Sequence, residues 1–125
     1  MKNALKTVTA IAVLLAAWGS AEAGQIFTPV VFTVANGFTC IAVNVGSTPI
    51  IVKMQFILIN GSVQCELSDL TIQPGRLDGI GCGVDPGDVG YCKFSTPPHN
   101  VLGSIPSLRA NICSFGGALA CADAR

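Results

Sequence analysis

Six cysteines, Cys40, Cys65, Cys82, Cys92, Cys113 and Cys121, constrain this 125-residue chain more than any other feature. All six follow a segment with the pattern of an export leader. Lys2 and Lys6 form its positive start, Thr7 to Trp18 its apolar stretch, and Ala21-Glu22-Ala23 its small-x-small cleavage site. Cleavage after Ala23 makes residues 1–23 a signal peptide and residues 24–125 the mature domain. An even number of cysteines in an exported chain reads as three disulfides. Zinc sites, by contrast, usually bring ligand pairs at C-x₂₋₄-C spacing. Here the closest cysteines in sequence, Cys113 and Cys121, are much further apart. Six cysteines permit fifteen pairings, and the sequence does not select among them. The working arrangement is Cys40–Cys92 across the core, Cys65–Cys82 tying a central loop and Cys113–Cys121 closing a C-terminal hairpin.

A chain stapled in this way still needs a core, and half of its residues are apolar, leader included. Charged residues amount to 11%, well under the roughly 25% usual for soluble domains. The surface must therefore be covered by Ser, Thr, Asn, Gln and Gly, which favours sheets over helices with Glu/Lys-lined faces. The mature part carries Lys53, Arg76, Lys93, Arg109 and Arg125 against Glu66, Asp69, Asp78, Asp85, Asp88 and Asp123. That near-balance argues against a nucleic-acid surface and against a polybasic membrane patch. The longest apolar run, Pro49 to Ile59, contains Lys53 and Gln55 and falls short of the roughly 20 residues a spanning helix needs. No cysteine stands at the cleavage site for a lipid, so no membrane anchor is expected after cleavage.

The runs between turn signals are short and β-branched. Gln25 to Val34 and Phe38 to Val45 flank Asn36-Gly37, a strong hairpin signal. Ile50 to Ile59 is apolar on both faces and reads as a central strand. Asn60-Gly61 then returns the chain into Ser62 to Leu67, and Leu70 to Ile72 forms a separate short strand before the Gln73-Pro74-Gly75 turn. The glycine density from Gly79 to Gly90 predicts no regular element there. Val89 to Ser95 and Ser107 to Cys113 are strand-like, Thr96 to Asn100 is an exposed loop, and Ala118 to Ala124 suits one helical turn or a final edge strand. About seven strands at roughly ten-residue spacing predict a single antiparallel β-sandwich, all-β and disulfide-stabilised. It is immunoglobulin-like only loosely, since the mature part has no Trp and Tyr91 directly precedes Cys92.

Groups able to do chemistry are scarce. His99 is the only histidine and falls after Pro97-Pro98, so it reads as a solvent-exposed loop residue. A Ser-His-Asp arrangement is formally available, but no G-x-S-x-G elbow accompanies it. Six paired cysteines leave no thiol for a Cys-His nucleophile. Asp78, Asp85 and Asp88 offer carboxylates of the kind calcium takes, yet their spacing is not that of an EF-hand, and Asp85-Pro86-Gly87-Asp88 is equally a turn. The same aspartates could serve glycoside cleavage, which requires paired carboxyls beside a sugar cleft. Gly79-Ile80-Gly81-Cys82-Gly83 lacks the Lys-Ser/Thr of a phosphate loop. Asn60-Gly61-Ser62 satisfies the glycosylation sequon but is explained by its turn. No catalytic residue, metal ligand or cofactor site is assigned.

The order Phe38-Thr39-Cys40, Val43-Asn44-Val45-Gly46, Gln73-Pro74-Gly75, Tyr91-Cys92-Lys93-Phe94, Arg109-Ala110-Asn111-Ile112-Cys113, Cys121 and Ala124-Arg125 resembles a group of small exported bacterial proteins of uncharacterised role. The resemblance implies a lone β-sandwich domain and supplies no catalytic or ligand-binding residue. Cys65 and Cys82 stand outside the shared pattern, which implies that they pair with each other.

The expected role is a non-enzymatic secreted or periplasmic binding or structural module. Its protein partner would be met through the Gly79–Gly90 and Thr96–Asn100 loops or through an edge strand such as Ile50–Ile59. A small hydrolase using loop carboxylates and a secreted inhibitor are the alternatives. A surface-active, hydrophobin-like protein is disfavoured by the lack of adjacent cysteines. Intact-mass measurement of the exported protein should show six hydrogens fewer than after reduction, with no thiol open to alkylation.

Overall fold

The computed structural model describes residues 23–32, 37–101, 103–115 and 120–124, which form nine strands in two antiparallel sheets. In chain order these are β1 (Gln25–Phe27), β2 (Val31–Phe32), β3 (Gly37–Asn44), β4 (Ile50–Leu58), β5 (Val63–Ile72), β6 (Leu77–Gly83), β7 (Val89–Ser95), β8 (Leu108–Phe115) and β9 (Ala120–Asp123). Sheet A runs β1-β7-β4-β5, with β2 also pairing β7. Sheet B runs β6-β3-β8-β9. The protein is an all-β sandwich.

Period-two alternation decides what each sheet buries. From β3 come Phe38, Cys40 and Ala42, from β4 Val52, Met54 and Phe56, and from β7 Cys92 and Phe94, all fully buried. Phe38 and Phe56 stack across the sheets with ring centroids 4.6 Å apart. Beside them the Cys40–Cys92 disulfide joins β3 to β7, and so sheet B to sheet A, with its Cα atoms 5.8 Å apart. The buried polar side chain of Asn44 is satisfied: Nδ2 donates to the Thr48 and Ile72 carbonyls at 2.7 and 2.9 Å, and Oδ1 accepts from Gly46 N–H at 2.9 Å. It thereby shapes the turn from β3 into β4.

Ile50–Leu58 is a central strand, flanked by β7 and β5, so it offers no free edge. At Asn60-Gly61 the Gly61 φ of 88° and the Ser62 N–H bond to Asn60 Oδ1 make the hairpin between β4 and β5. The other Asn-Gly does not join its flanking runs. Of the proposed turn, residues 33–36 lie outside the described residues. β1 and β2 pair with β7 in sheet A, while β3 pairs with β6 and β8 in sheet B. The two runs therefore belong to different layers, because each has an apolar face that must meet the same core from opposite sides. Two further sequence expectations are corrected. Ser62–Leu67 and Leu70–Ile72 merge into one strand, β5, through register shifts that place the extra residues opposite β4. The glycine-rich stretch is a strand over Leu77–Gly83. Its partner β3 supplies a ladder, and Gly79 is required because a Cβ there would come within 2.5 Å of the Cys40 carbonyl oxygen.

The second staple, Cys65–Cys82, spans from β5 of sheet A to β6 of sheet B, tying strands and not a loop. The third, Cys113–Cys121, joins directly paired residues of β8 and β9, and Ala120–Asp123 is an edge strand. Replacing both Cys40 and Cys92 with Ala should lower unfolding stability by about 4 kcal/mol, from lost chain restraint over the 52-residue separation. Urea unfolding of the double variant checks this.

Candidate functional site

His99 is the side chain about which the polar groups gather. Ser95 ends β7, and the chain then turns back: the Pro97-Pro98 peptide is cis and His99 N–H donates to the Thr96 carbonyl at 2.7 Å. Thr96 is held in turn by Gly24, whose N–H donates to Thr96 Oγ1 at 2.9 Å and whose carbonyl accepts from Thr96 N–H. The Gln25 side-chain amide donates to the His99 carbonyl. The expectation of an exposed loop with a solvent-facing His99 is thus corrected. Its tip prolines are exposed, but the His99 ring lies half-buried against the sheet.

The ring bridges two partners. Its Nδ1 lies 3.0 Å from Ser95 Oγ and its Nε2 lies 3.1 Å from Asp69 Oδ1. With a neutral ring, the Ser95 hydroxyl donates to Nδ1 and the Nε2–H donates to Asp69. Asp69 reaches this position from β5 through a left-handed backbone, φ 52°, at a register shift of that strand, and His99 itself has φ 71°. The only two non-glycine residues with positive φ among the described residues are therefore bonded to each other.

These are the residue types of an acyl-transfer triad, with the accessibility inverted. A nucleophilic serine must be reachable while the orienting carboxylate is shielded. Here Ser95 is 1% exposed and the Asp69 side chain 68% exposed. The hydroxyl lies on the outer side of sheet A, covered by its own loop and closed to solvent in this structure. What the arrangement does is clasp the 96–100 loop to sheet A.

The same outer face of sheet A carries a second polar group. Glu66 accepts from Gln55 Nε2 at 2.7 Å and Ser68 Oγ at 3.1 Å, and pairs with Lys53 Nζ at 3.3 Å. The Gln55 hydrogen bond first, then that of Ser68, hold its carboxyl below the ordinary glutamate value against an opposing effect of desolvation, with Lys53 adding to the lowering. A lowered carboxyl favours the folded state at pH above the unfolded value, and the benefit disappears as pH falls through the folded one.

Toward the other end the face turns apolar. Register places Phe32 beside Val89, Tyr91 beside Ile57 and Ile57 beside Val63. Phe27 lies 6.2 Å from the Tyr91 ring, and Lys93 Nζ sits 5.9 Å over Phe27. Phe27, Phe32, Ile59 and Val63 are exposed. Sequence reading missed both this patch and Asp69, because each is assembled from strands whose order no local pattern reveals.

The three aspartates considered for calcium do not act together. Asp78 lies on β6 and accepts from Gly79 N–H at 2.8 Å. Asp85 and Asp88 share one turn, in which Asp85 N–H donates to Asp88 Oδ2 at 3.0 Å and Gly87 has φ 91°. With Gln64, Gly83 and Val84 they line an open cavity of about 360 Å³. Among the described residues no three His, Cys, Asp or Glu side chains converge as a metal would require. No protein-family model, curated protein or solved structure matches the chain.

A double-mutant cycle on His99→Ala and Asp69→Ala, read by urea unfolding, should give a coupling of about 0.2–1 kcal/mol, the range for a polar contact with a solvent-exposed carboxylate. Ser95→Ala should cost more than Asp69→Ala, since it leaves a half-buried ring nitrogen unpaired.

Proposed function

We propose that this protein is a non-enzymatic module, secreted or periplasmic, that works by binding another macromolecule. The observation that carries this reading is the burial of Ser95 beneath His99: the chain's one histidine is spent on holding a loop, and the hydroxyl it contacts is closed to substrate. All six cysteines are in disulfides, which suits an oxidising compartment and leaves no thiol nucleophile. The exposed apolar half of the outer face of sheet A supports contact over catalysis, because contiguous apolar surface on a small domain marks interaction sites. The leader pattern and the low charge content accord with export of a rigid domain.

The test is an activity screen of the oxidised protein on ester, peptide and glycoside substrates, beside Ser95→Ala and Asp85→Asn variants. Background rates are expected for all three proteins. Turnover that either substitution abolishes would overturn the proposal, the first in favour of a serine hydrolase and the second in favour of a carboxylate-based one.

A further inference from the structure

The two sheets have four lateral edges, and three are closed to a further strand. The β1/β2 edge is interrupted at Thr28-Pro29-Val30, where Pro29 has no N–H to offer. β5 carries two register shifts and the left-handed Asp69, irregularities that blunt an edge. β9 is four residues long and tied back to β8 by Cys113–Cys121. β6 differs from all of them. Its seven residues pair with β3 in unbroken register from Leu77 to Gly83, without proline, lysine or arginine.

The ladder identifies which backbone groups of β6 face outward. Asn44 N–H donates to the Arg76 carbonyl, and Val45 N–H donates to the Ser107 carbonyl. Even-numbered residues of β3 therefore bond β6 and odd-numbered ones bond β8. In an antiparallel ladder each residue sends its N–H and C=O to the same side, alternating along the strand. Leu77, Gly79, Gly81 and Gly83 consequently direct theirs away from β3. Three of these four carry no side chain, and at Gly81 no atom lies within 4 Å of where a Cβ would stand. Among the described residues only Gly79 N–H has a substitute partner, the exposed Asp78 carboxylate.

We propose that β6 is a dimerisation edge, to which a second copy of this chain adds its own β6 antiparallel, fusing two four-stranded sheets into one. The occupant follows from self-complementarity. A two-fold axis beside Ile80 pairs Leu77 with the partner's Gly83 and Gly79 with the partner's Gly81. Leu77, 68% exposed, then covers the space that the partner's Gly83 leaves empty. The same register sets Arg76 opposite the partner's Val84, one residue from its Asp85. Neither Arg76 nor the Asp85 carboxylate has an ion-pair or side-chain hydrogen-bond partner among the described residues. Each copy thus holds a cation at one end of the edge and a carboxylate at the other, as an isologous contact requires. Asp78 falls opposite the partner's Cys82, so no like charges meet, and the incoming carbonyl replaces it at Gly79 N–H. An extended segment of an unrelated protein would find the same backbone groups but not the Leu-to-Gly and Arg-to-Asp matches.

Sedimentation equilibrium of the oxidised protein over micromolar to millimolar concentration tests this. The wild type should reach twice the chain mass. Gly81→Pro removes an outward N–H and no bond of the β3 ladder, and Gly81→Lys places a charge on the edge; both should remain at the single-chain mass with the disulfides intact. Arg76→Glu should weaken association at least tenfold, and Arg76→Glu with Asp85→Arg should restore it. A wild type at single-chain mass throughout, a Gly81→Pro protein that dimerises like the wild type, or an Arg76→Glu protein of unchanged affinity would each overturn the proposal. The second of these outcomes would move self-association to another surface, such as the apolar face of sheet A.

Discussion

The Cys40–Cys92 bond is the constraint on which the rest of the structure depends. It is fully buried, joins a central strand of each sheet, and lies beside the Phe38–Phe56 stack. By fixing which face of β3 and which face of β7 point inward, it sets the alternation of every strand paired to them, because a one-residue slip would turn a strand's apolar set outward. Packing of Val52, Met54, Phe94 and Ile112 follows from that choice. Cys65–Cys82 then closes the β5/β6 side of the sandwich, and Cys113–Cys121 pins the last strand. In a chain this small the three links are comparable in size to the net stability expected of the fold.

With the interior between the sheets filled mainly by apolar groups and sulfur, Asn44 apart, most of the charged groups lie on the outer faces. There they are used for holding the structure. Asp69 and His99 each adopt a left-handed backbone, an arrangement that persists only where the surroundings compensate. The compensation is visible: the Asp69 contact, the Ser95 contact and the Gln25 bond to the His99 carbonyl all converge on one loop. Glu66 is likewise enclosed by Gln55, Ser68 and Lys53. Such mutually satisfied groups stabilise the surface that carries them.

The sheet edges show how the same chain manages unpaired backbone. Interruption by Pro29, the register shifts in β5 and the brevity of β9 are three different solutions to one problem, the tendency of an open edge to recruit another strand. Seen beside them, the regularity of Leu77–Gly83 stands out, since three of the four residues that turn their N–H and C=O away from β3 are glycines.

Local patterns determined much of this molecule. Alternation in Phe38–Val45 and Ile50–Ile59, the low charge content and the Asn60-Gly61 turn were enough to read an antiparallel sandwich with β4 at its centre, because side-chain period and turn stereochemistry act over a few residues. Residues 36–37 show the limit: Asn-Gly chemistry is the same there, yet the flanking runs part into different sheets, a choice made by which core face each must fill. Glycine density misled at Leu77–Gly83 for the same reason, since poor intrinsic strand preference yields to a ladder supplied by a distant partner. The His99 clasp was out of reach altogether, for it needs the β5 register shift that brings Asp69 across thirty residues of sequence. What one residue prefers is written along the chain, whereas which residues meet depends on strand order, and strand order is settled only when both sheets compete to bury the same core.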